Sequence, residues 1–456
     1  MFRTRILAGA AGLFLAVALT GCSVDVGSTL GFGGGAKPTA MVVGDEPFAV
    51  KVGAATLAQG GDAVDAATAM YFALSVTYPV AAGLGGGGIC IVHDPAHNRS
   101  EEFDFLTRDA AGGGAYAVPG NVRGFALMQN AYGALPWQKV VAPAEGYARV
   151  GFPISRALAA RLKDAENVIR LDAGLASEFM DESGHVKEAG SIVKNDELAS
   201  TLAAIRELGP EGFYTGPVAD KILAYSAAQN GAISGAELAG YRAMRGTPRV
   251  MQVGDDYVFL PASHTGAGAF AGALMANLVR AQSTPTGAKD AEAAVITAVK
   301  ETLEGFGVKS LPQDLGATGF AATDANGQAV ACAVTMNGPF GSGHTALGTG
   351  VTLARSPSSS GAGLASAFLT PVIAGRSDDG PADLVGAGAG GPNGTAAIAY
   401  ALTRIAHGEP ILTRDQLRST GVAPYDTVNA IVCSDGVCAA LPDPGAHGLG
   451  AVARGS

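Results

Sequence analysis

"GATGFAATDANGQAVACAVT" runs from Gly316 to Thr335. Its two short apolar runs, "GFAATD" and "AVACAVT", flank the pair Asn326-Gly327. Asn-Gly accepts the positive φ angles of a tight turn, so the stretch predicts a β-hairpin. Thr318 opens the first run. It is either a nucleophile or one hydroxyl on a buried strand, and the rest of the chain has to decide between them.

Working outward, strand-like pairs alternate with groups of helices. "GGDAVDAATAMYFALSVTYP" contains a helix over about Asp62–Val76 that is apolar nearly all round, which predicts a buried helix. Helices around Val122–Tyr132 and from Trp137 end at Gly133 and Gly151, natural terminating glycines. Ala269–Gly305 reads as helical with a break at Pro285–Gly287, and "DTVNAIVCSDGVCAALPD" reads as a last hairpin. Paired strands between helical groups argue for a layered sandwich rather than a chain of alternating strands and helices. The glycine loop Gly83–Gly88 lacks the Lys-Ser/Thr of an ATP site and the acidic residue of a dinucleotide site.

Composition narrows the function. Hydrophobic residues make up 48% and charged residues 15%, which excludes a disordered chain. The formal net charge is -10 and no Lys/Arg cluster follows the first residues, so no nucleic-acid partner is expected. Arg3 and Arg5 precede the apolar "ILAGAAGLFLAVAL", which is too short for a secure membrane span and ends in "LTGC". That ending resembles the lipobox of a bacterial lipoprotein precursor. The resemblance implies a signal peptide over 1–21, a lipid on Cys22 and a glycine-rich flexible tether over 22–38. The expected location is the bacterial cell envelope, with the protein lipid-anchored, facing the periplasm, and the outer membrane as its membrane. Cys433 and Cys438 bracket a Ser-Asp-Gly turn and can pair across it in such a compartment. Cys90 and Cys332 sit in apolar runs and are expected to be buried; no cysteine or histidine spacing points to a metal.

Five ordered blocks then carry a family resemblance over about Val42–Leu402. "LAQGGDAVDAATAMYFALSVTYPVAAGLGGGG" is similar to the N-terminal signature of the gamma-glutamyltransferase family. "AVPGNVRGFALMQNAYGALPWQKVVAPAEGYARVGFPIS", "NDELASTLAAIRELGPEGFYTGPVADKI", "TDANGQAVACAVTMNGPFGSG" and the region from "LTPVIAG" to "GAGAGGPNG" resemble its later blocks. The resemblance implies an N-terminal-nucleophile hydrolase: an α+β protein with a four-layer αββα sandwich. A precursor of that kind cuts itself before a Thr, whose freed amine serves as base. The implied substrates are γ-glutamyl compounds such as glutathione, with no cofactor. Residues 39–456 then form one domain, 39–317 corresponding to the large subunit and 318–456 to the small one.

The family pattern can be laid on this chain residue by residue. Counting back from Asp324 without a gap puts Ala317 at the nucleophile, Thr318 at a second Thr and Gly319 at a His. Counting forward places Thr335 beside the nucleophile and Asn337 at a site asparagine. Thr318 serves as nucleophile only if a bulge or loop shifts the strand by one residue. The arginine that grips a substrate carboxylate falls on Leu106 without a gap, or on Arg108 with a two-residue insertion; the other reading leaves Arg108 as a surface residue. Ser366 stands in the segment that binds carboxylate and oxyanion, and Gly390-Gly391 match its glycine pair. "GTGVTLARSPSSSGAG" contains no counterpart to the family's acidic pair, which holds the substrate amine.

Two readings follow. The first is a degenerate, uncut relative that binds a small amino-acid-like ligand or an envelope partner. The second is an active γ-glutamyl amide hydrolase or transferase with Thr318 as nucleophile.

Overall fold

Alternating apolar residues build the centre of the protein. In a computed structural model, the Gly316–Thr335 stretch forms a hairpin from strands Ala317–Thr323 and Ala329–Thr335. Residues 39–262, 266–281, 288–308, 314–359, 363–406, 426–434, 437–443 and 445–453 are described by the structure. The expected signal segment, Cys22 and the whole of the expected tether lie outside them.

The strands of the two large sheets are, in chain order, β1 (Met41–Gly44), β2 (Gly87–Asp94), β3 (Arg99–Phe105), β4 (Met244–Gly246), β5 (Arg249–Val253) and β6 (Asp256–Leu260). After them come β7 (Ala317–Thr323), β8 (Ala329–Thr335), β9 (Thr370–Gly375), β10 (Leu384–Ala389), β11 (Thr427–Ser434), β12 (Val437–Leu441) and β13 (Leu449–Val452). One sheet has the order β13-β1-β7-β8-β2-β3-β4, the other β12-β11-β10-β9-β6-β5. Neighbouring strands run antiparallel throughout both sheets.

Each sheet is covered on its outer face. Helix α1 (Pro47–Ala58) and helix α2 (Ala63–Thr77) pack on the first sheet, and every residue of α2 is buried. Asp62 and Asp65 form a reciprocal capping box at the start of α2, which satisfies two amide donors that a buried helix end would otherwise leave unpaired. Helices α3 (Asn121–Tyr132) and α4 (Trp137–Val150) extend this layer. On the second sheet lie α5 (Ala269–Ala281), α6 (Ala288–Gly305) and α7 (Pro392–Ala406). Between the sheets sit Val43, Ile91, Ala321, Ala331, Phe259, Ile373, Val385 and Ile431. The result is the αββα sandwich: both faces of both sheets are apolar, so each sheet must be covered twice.

Two disulfides tie this core. Cys433 joins Cys438 across the turn from β11 to β12. Cys90 joins Cys332 between the paired strands β2 and β8, a link that burial alone did not announce.

Candidate active site

Side-chain alternation decides what β7 presents to each layer. Pairing with β8 continues without a bulge from Ala317–Thr335 to Thr323–Ala329. Phe320 and Ala322 therefore face the helices, while Ala317 and Ala321 face the second sheet. Thr318 shares the parity of Phe320, so its side chain lies on the helical face, opposite to Ala317.

Ala317 is 1% exposed and packs among Ile89, Ala267, Ala333, Leu369, Ala387 and Ala389, with Leu106 against the group. A Cβ at Gly319 would lie 2.7 Å from the Cβ of Ala387, so the second sheet leaves no room for a side chain there. The position aligned with the family's nucleophile is thus a methyl among methyls, and the position aligned with its histidine admits only glycine.

Thr318 is fully buried, and its hydroxyl donates to Asp45 Oδ2 at 2.6 Å. The other oxygen of Asp45 accepts from Asn429 Nδ2 at 2.7 Å, and the same amide group donates to Gly319 O at 2.9 Å. Asn429 Oδ1 accepts from the Asp443 amide at 3.1 Å. Burial pushes the Asp45 carboxyl up from 3.8 to about 6, against the opposing pull of the Thr318 and Asn429 hydrogen bonds.

The chain entering β7 is held from several sides. Gly316 has φ +56°, and a Cβ on it would collide with the Gly338 carbonyl. Its own carbonyl accepts from the Met336 amide at 2.8 Å. The Thr335 hydroxyl lies 3.0 Å from Leu315 O and 3.1 Å from Gly316 O, and it accepts from the Asn337 amide at 2.9 Å. Just upstream, Arg161 grips both oxygens of Asp314 at 2.8 and 2.9 Å. Thr335 is a clamp on the preceding segment in this arrangement.

Asn337 has φ +60°, and its Nδ2 donates to Thr107 Oγ1 at 2.9 Å and to Arg355 O at 2.8 Å. Its Oδ1 is buried without a hydrogen-bond partner among the described residues. Arg108 does not join this group, and of its two readings the surface one describes its position. It lies exposed on the short strand Arg108–Asp109, its guanidinium 4.9 Å from the Tyr241 ring centre and donating to Arg242 O at 2.9 Å. The residue that reaches the Ala317 cluster is Leu106, where the gap-free reading puts the family's arginine.

Ser366 sits on the short helix Gly363–Ala367, and its carbonyl accepts from the Leu369 amide at 3.2 Å. Gly390 (φ +86°) and Gly391 connect β10 to α7 directly after Ala389, so they begin one residue from the Ala317 cluster. A Cβ on Gly391 would collide with the Asp426 carboxylate. The structure thus gathers Ala317, Thr335, Asn337 and the glycine pair at one end of the sandwich and turns Arg108 away from it. Asp45 and Asn429 escaped the sequence reading. Asp45 lies 273 residues from Thr318, and "GDEPF" carries no sign of that contact.

The sandwich and the placement of this hairpin define an N-terminal-nucleophile hydrolase fold. Over 92% of this chain and 97% of the other, the structure is similar to the cephalosporin acylase from Bacillus halodurans, with a TM-score of 0.75 and 18% identity. It is also similar to the gamma-glutamyltranspeptidase of Helicobacter pylori, with a TM-score of 0.52, 25% identity and coverage of 57% and 81%. The gamma-glutamyltranspeptidase family model matches residues 49–304, more than half of the chain, and the chain belongs to that family. Among curated relatives, the Glutathione hydrolase proenzyme of Escherichia coli (strain K12) is 35% identical over 230 residues, which is 46% of this chain and 39% of that protein. The Acylase ACY 1 proenzyme of Pseudomonas sp. (strain SE83) is 32% identical over 228 residues, covering 44% and 41%. The matches span about two fifths of the length of these relatives. The part matched by the family model ends before Ala317.

Proposed function

We propose that this member of the family is catalytically silent and uncut, keeps the precursor fold, and serves as a binding protein for a small amino-acid-like ligand. The observation that carries this reading is Ala317. The residue aligned with the nucleophile has no oxygen, and an unbroken register holds the neighbouring Thr318 on the other side of the sheet. Self-cleavage and acyl transfer both need a hydroxyl that reaches the carbonyl it attacks. The Thr318 hydroxyl is fully buried and committed to Asp45, out of reach of a soluble amide.

The protein is further proposed to sit in the bacterial envelope, facing the periplasm and anchored through lipid on Cys22. The lipobox-like "LTGC" supports this, and so do the two disulfides, which suit an oxidising compartment. Cys22→Ser should release the protein from the membrane fraction.

One observation favours a second reading. Burial pushes the Asp45 carboxyl up to about 6, and it lies 2.6 Å from the Thr318 hydroxyl, which is the arrangement of a base beside a nucleophile. The intact mass of the full-length chain after incubation separates the two readings. A single chain that releases no glutamate from glutathione is expected. Two fragments, the second beginning at Thr318, would overturn the silent reading.

A further inference from the structure

Building on the ligand-binding reading above, we propose that Arg355 forms an anion subsite beside the entry to β7. Its ligand is a small carboxylate that carries an amide N–H in place of an ammonium group, such as an N-acylated amino acid.

Three observations converge on Arg355. The first is its position. Its amide donates to Met336 O at 3.1 Å, its carbonyl accepts from Asn337 Nδ2 at 2.8 Å, and its segment bridges to Tyr116. Its guanidinium lies against Gly338: a Cβ there would be 3.3 Å from Cζ and 3.4 Å from Nη2. Gly338 in turn packs on Gly316, next to Ala317. Arg355 therefore stands at the end of the sandwich that holds Ala317, Thr335 and the glycine pair.

The second observation is its missing counter-ion. Arg355 is half-buried, and among the described residues its guanidinium makes neither a hydrogen bond nor an ion pair. Asp109 lies against the residues that follow Arg355, and its carboxylate accepts from the Ser356 hydroxyl and, at 3.1 Å, from the Ser358 amide. Arg161, Arg123 and Arg206, buried or half-buried, hold Asp314, Glu211 and Glu145. Partial desolvation of an unpaired cation is unfavourable, and a planar guanidinium fork matches a carboxylate in two parallel hydrogen bonds.

The third observation is the orphaned acceptor next to it. Asn337 is 1% exposed and its Oδ1 has no donor among the described residues, although its Nδ2 is satisfied twice. A buried acceptor of this kind calls for an N–H or O–H from a bound molecule. Guanidinium and amide oxygen together suit a ligand with a carboxylate at one end and an amide N–H or acid O–H nearby. The segment Gly348–Gly363 contains Arg355 and no acid, and the Asp109 carboxylate packed against it is engaged by Ser356 and Ser358.

The test is calorimetric titration of the full-length chain with N-acetyl-L-glutamate and with L-glutamate, which differ by the acyl group that turns the ammonium into an amide. N-acetyl-L-glutamate is expected to bind, and L-glutamate to bind no more tightly. Arg355→Gln should weaken N-acetyl-L-glutamate at least tenfold, and Arg355→Lys should fall between the two because it keeps the charge without the fork. Melting temperatures of both variants close to that of the unaltered chain show that the fold survives. Three results would each overturn the proposal: no N-acetyl-L-glutamate binding by the unaltered chain, unchanged affinity in Arg355→Gln, or L-glutamate bound tenfold more tightly than N-acetyl-L-glutamate. None of these bears on whether the chain is cut, so this inference and the silent reading fail separately.

Discussion

Thr318→Val is the substitution that weighs most on the meaning of the site. Valine keeps the shape of threonine, so no cavity opens in the fully buried position. What is lost is the 2.6 Å hydrogen bond to Asp45. The folded pKa of Asp45 is raised from 3.8 to about 6, so its neutral form is favoured by the fold. The stability linked to this proton is fully present below pH 3.8 and is lost as pH rises through 6. The loss amounts to about 3 kcal/mol, since each tenfold change in proton affinity is worth about 1.4 kcal/mol. Removing the Thr318 donor takes away a bond that favours the charged form, so the folded pKa climbs further and the loss extends to higher pH. At about pH 5, where Asp45 is largely protonated, the substitution should cost about 1 kcal/mol, the net value of a neutral hydrogen bond. At about pH 8 it should cost about 2–3 kcal/mol, the range for a bond to a charged group. Urea unfolding at both pH values measures the difference, followed by the fluorescence of Trp137, the single tryptophan of the chain. An equal cost at the two pH values would refute the argument that Thr318 serves a buried carboxylate.

Other perturbations probe the same region. Ala317→Thr restores the hydroxyl at the aligned position, but it forces a larger side chain among Ile89, Leu369 and Ala389. It should lower stability by about 1–3 kcal/mol in thermal melts and leave a single chain by mass; a fragment beginning at position 317 would show that the machinery for cutting is otherwise intact. Arg161→Gln breaks an ion pair to Asp314 whose side chains are only 8% and 11% exposed. The expected cost is about 3–5 kcal/mol in urea, because a carboxylate is left buried and unpaired. Replacing Cys90 and Cys332 together by alanine opens a link between residues 242 apart. Loop-closure entropy puts the loss at about 5 kcal/mol, visible as a lower urea midpoint that reductant lowers no further through this bond.

Much of the architecture was legible in the chain. The Asn326-Gly327 turn between two apolar runs announced the β7–β8 hairpin, since turn chemistry and apolar pattern agree there. The buried helix α2 was visible as a stretch apolar on every side, observed one residue later at each end than expected. Helices α5 and α6 stand on either side of the expected break, and Pro285–Gly287 itself lies outside the described residues. The site was less legible. Arg108 could be read as a clamp or as a surface residue from the sequence, and the exposed strand Arg108–Asp109 sets its guanidinium beside Tyr241. Arg355 drew no attention because nothing in its neighbours along the chain reveals how its guanidinium is left without a counter-ion.

The sequence by itself determined the layers and the residue at position 317. Apolar periodicity and turn residues act over a few positions, and an alanine has no oxygen in any fold. Only the tertiary structure decided which way Thr318 faces and what it meets. Its side depends on an unbroken register with β8, and its partner Asp45 arrives from the start of the chain. The cluster of methyls around Ala317, the exclusion of any side chain at Gly319 and the orphaned Asn337 Oδ1 belong to the packing of one sheet on another. Contacts of that kind form between segments tens to hundreds of residues apart, and local pattern carries no information about them.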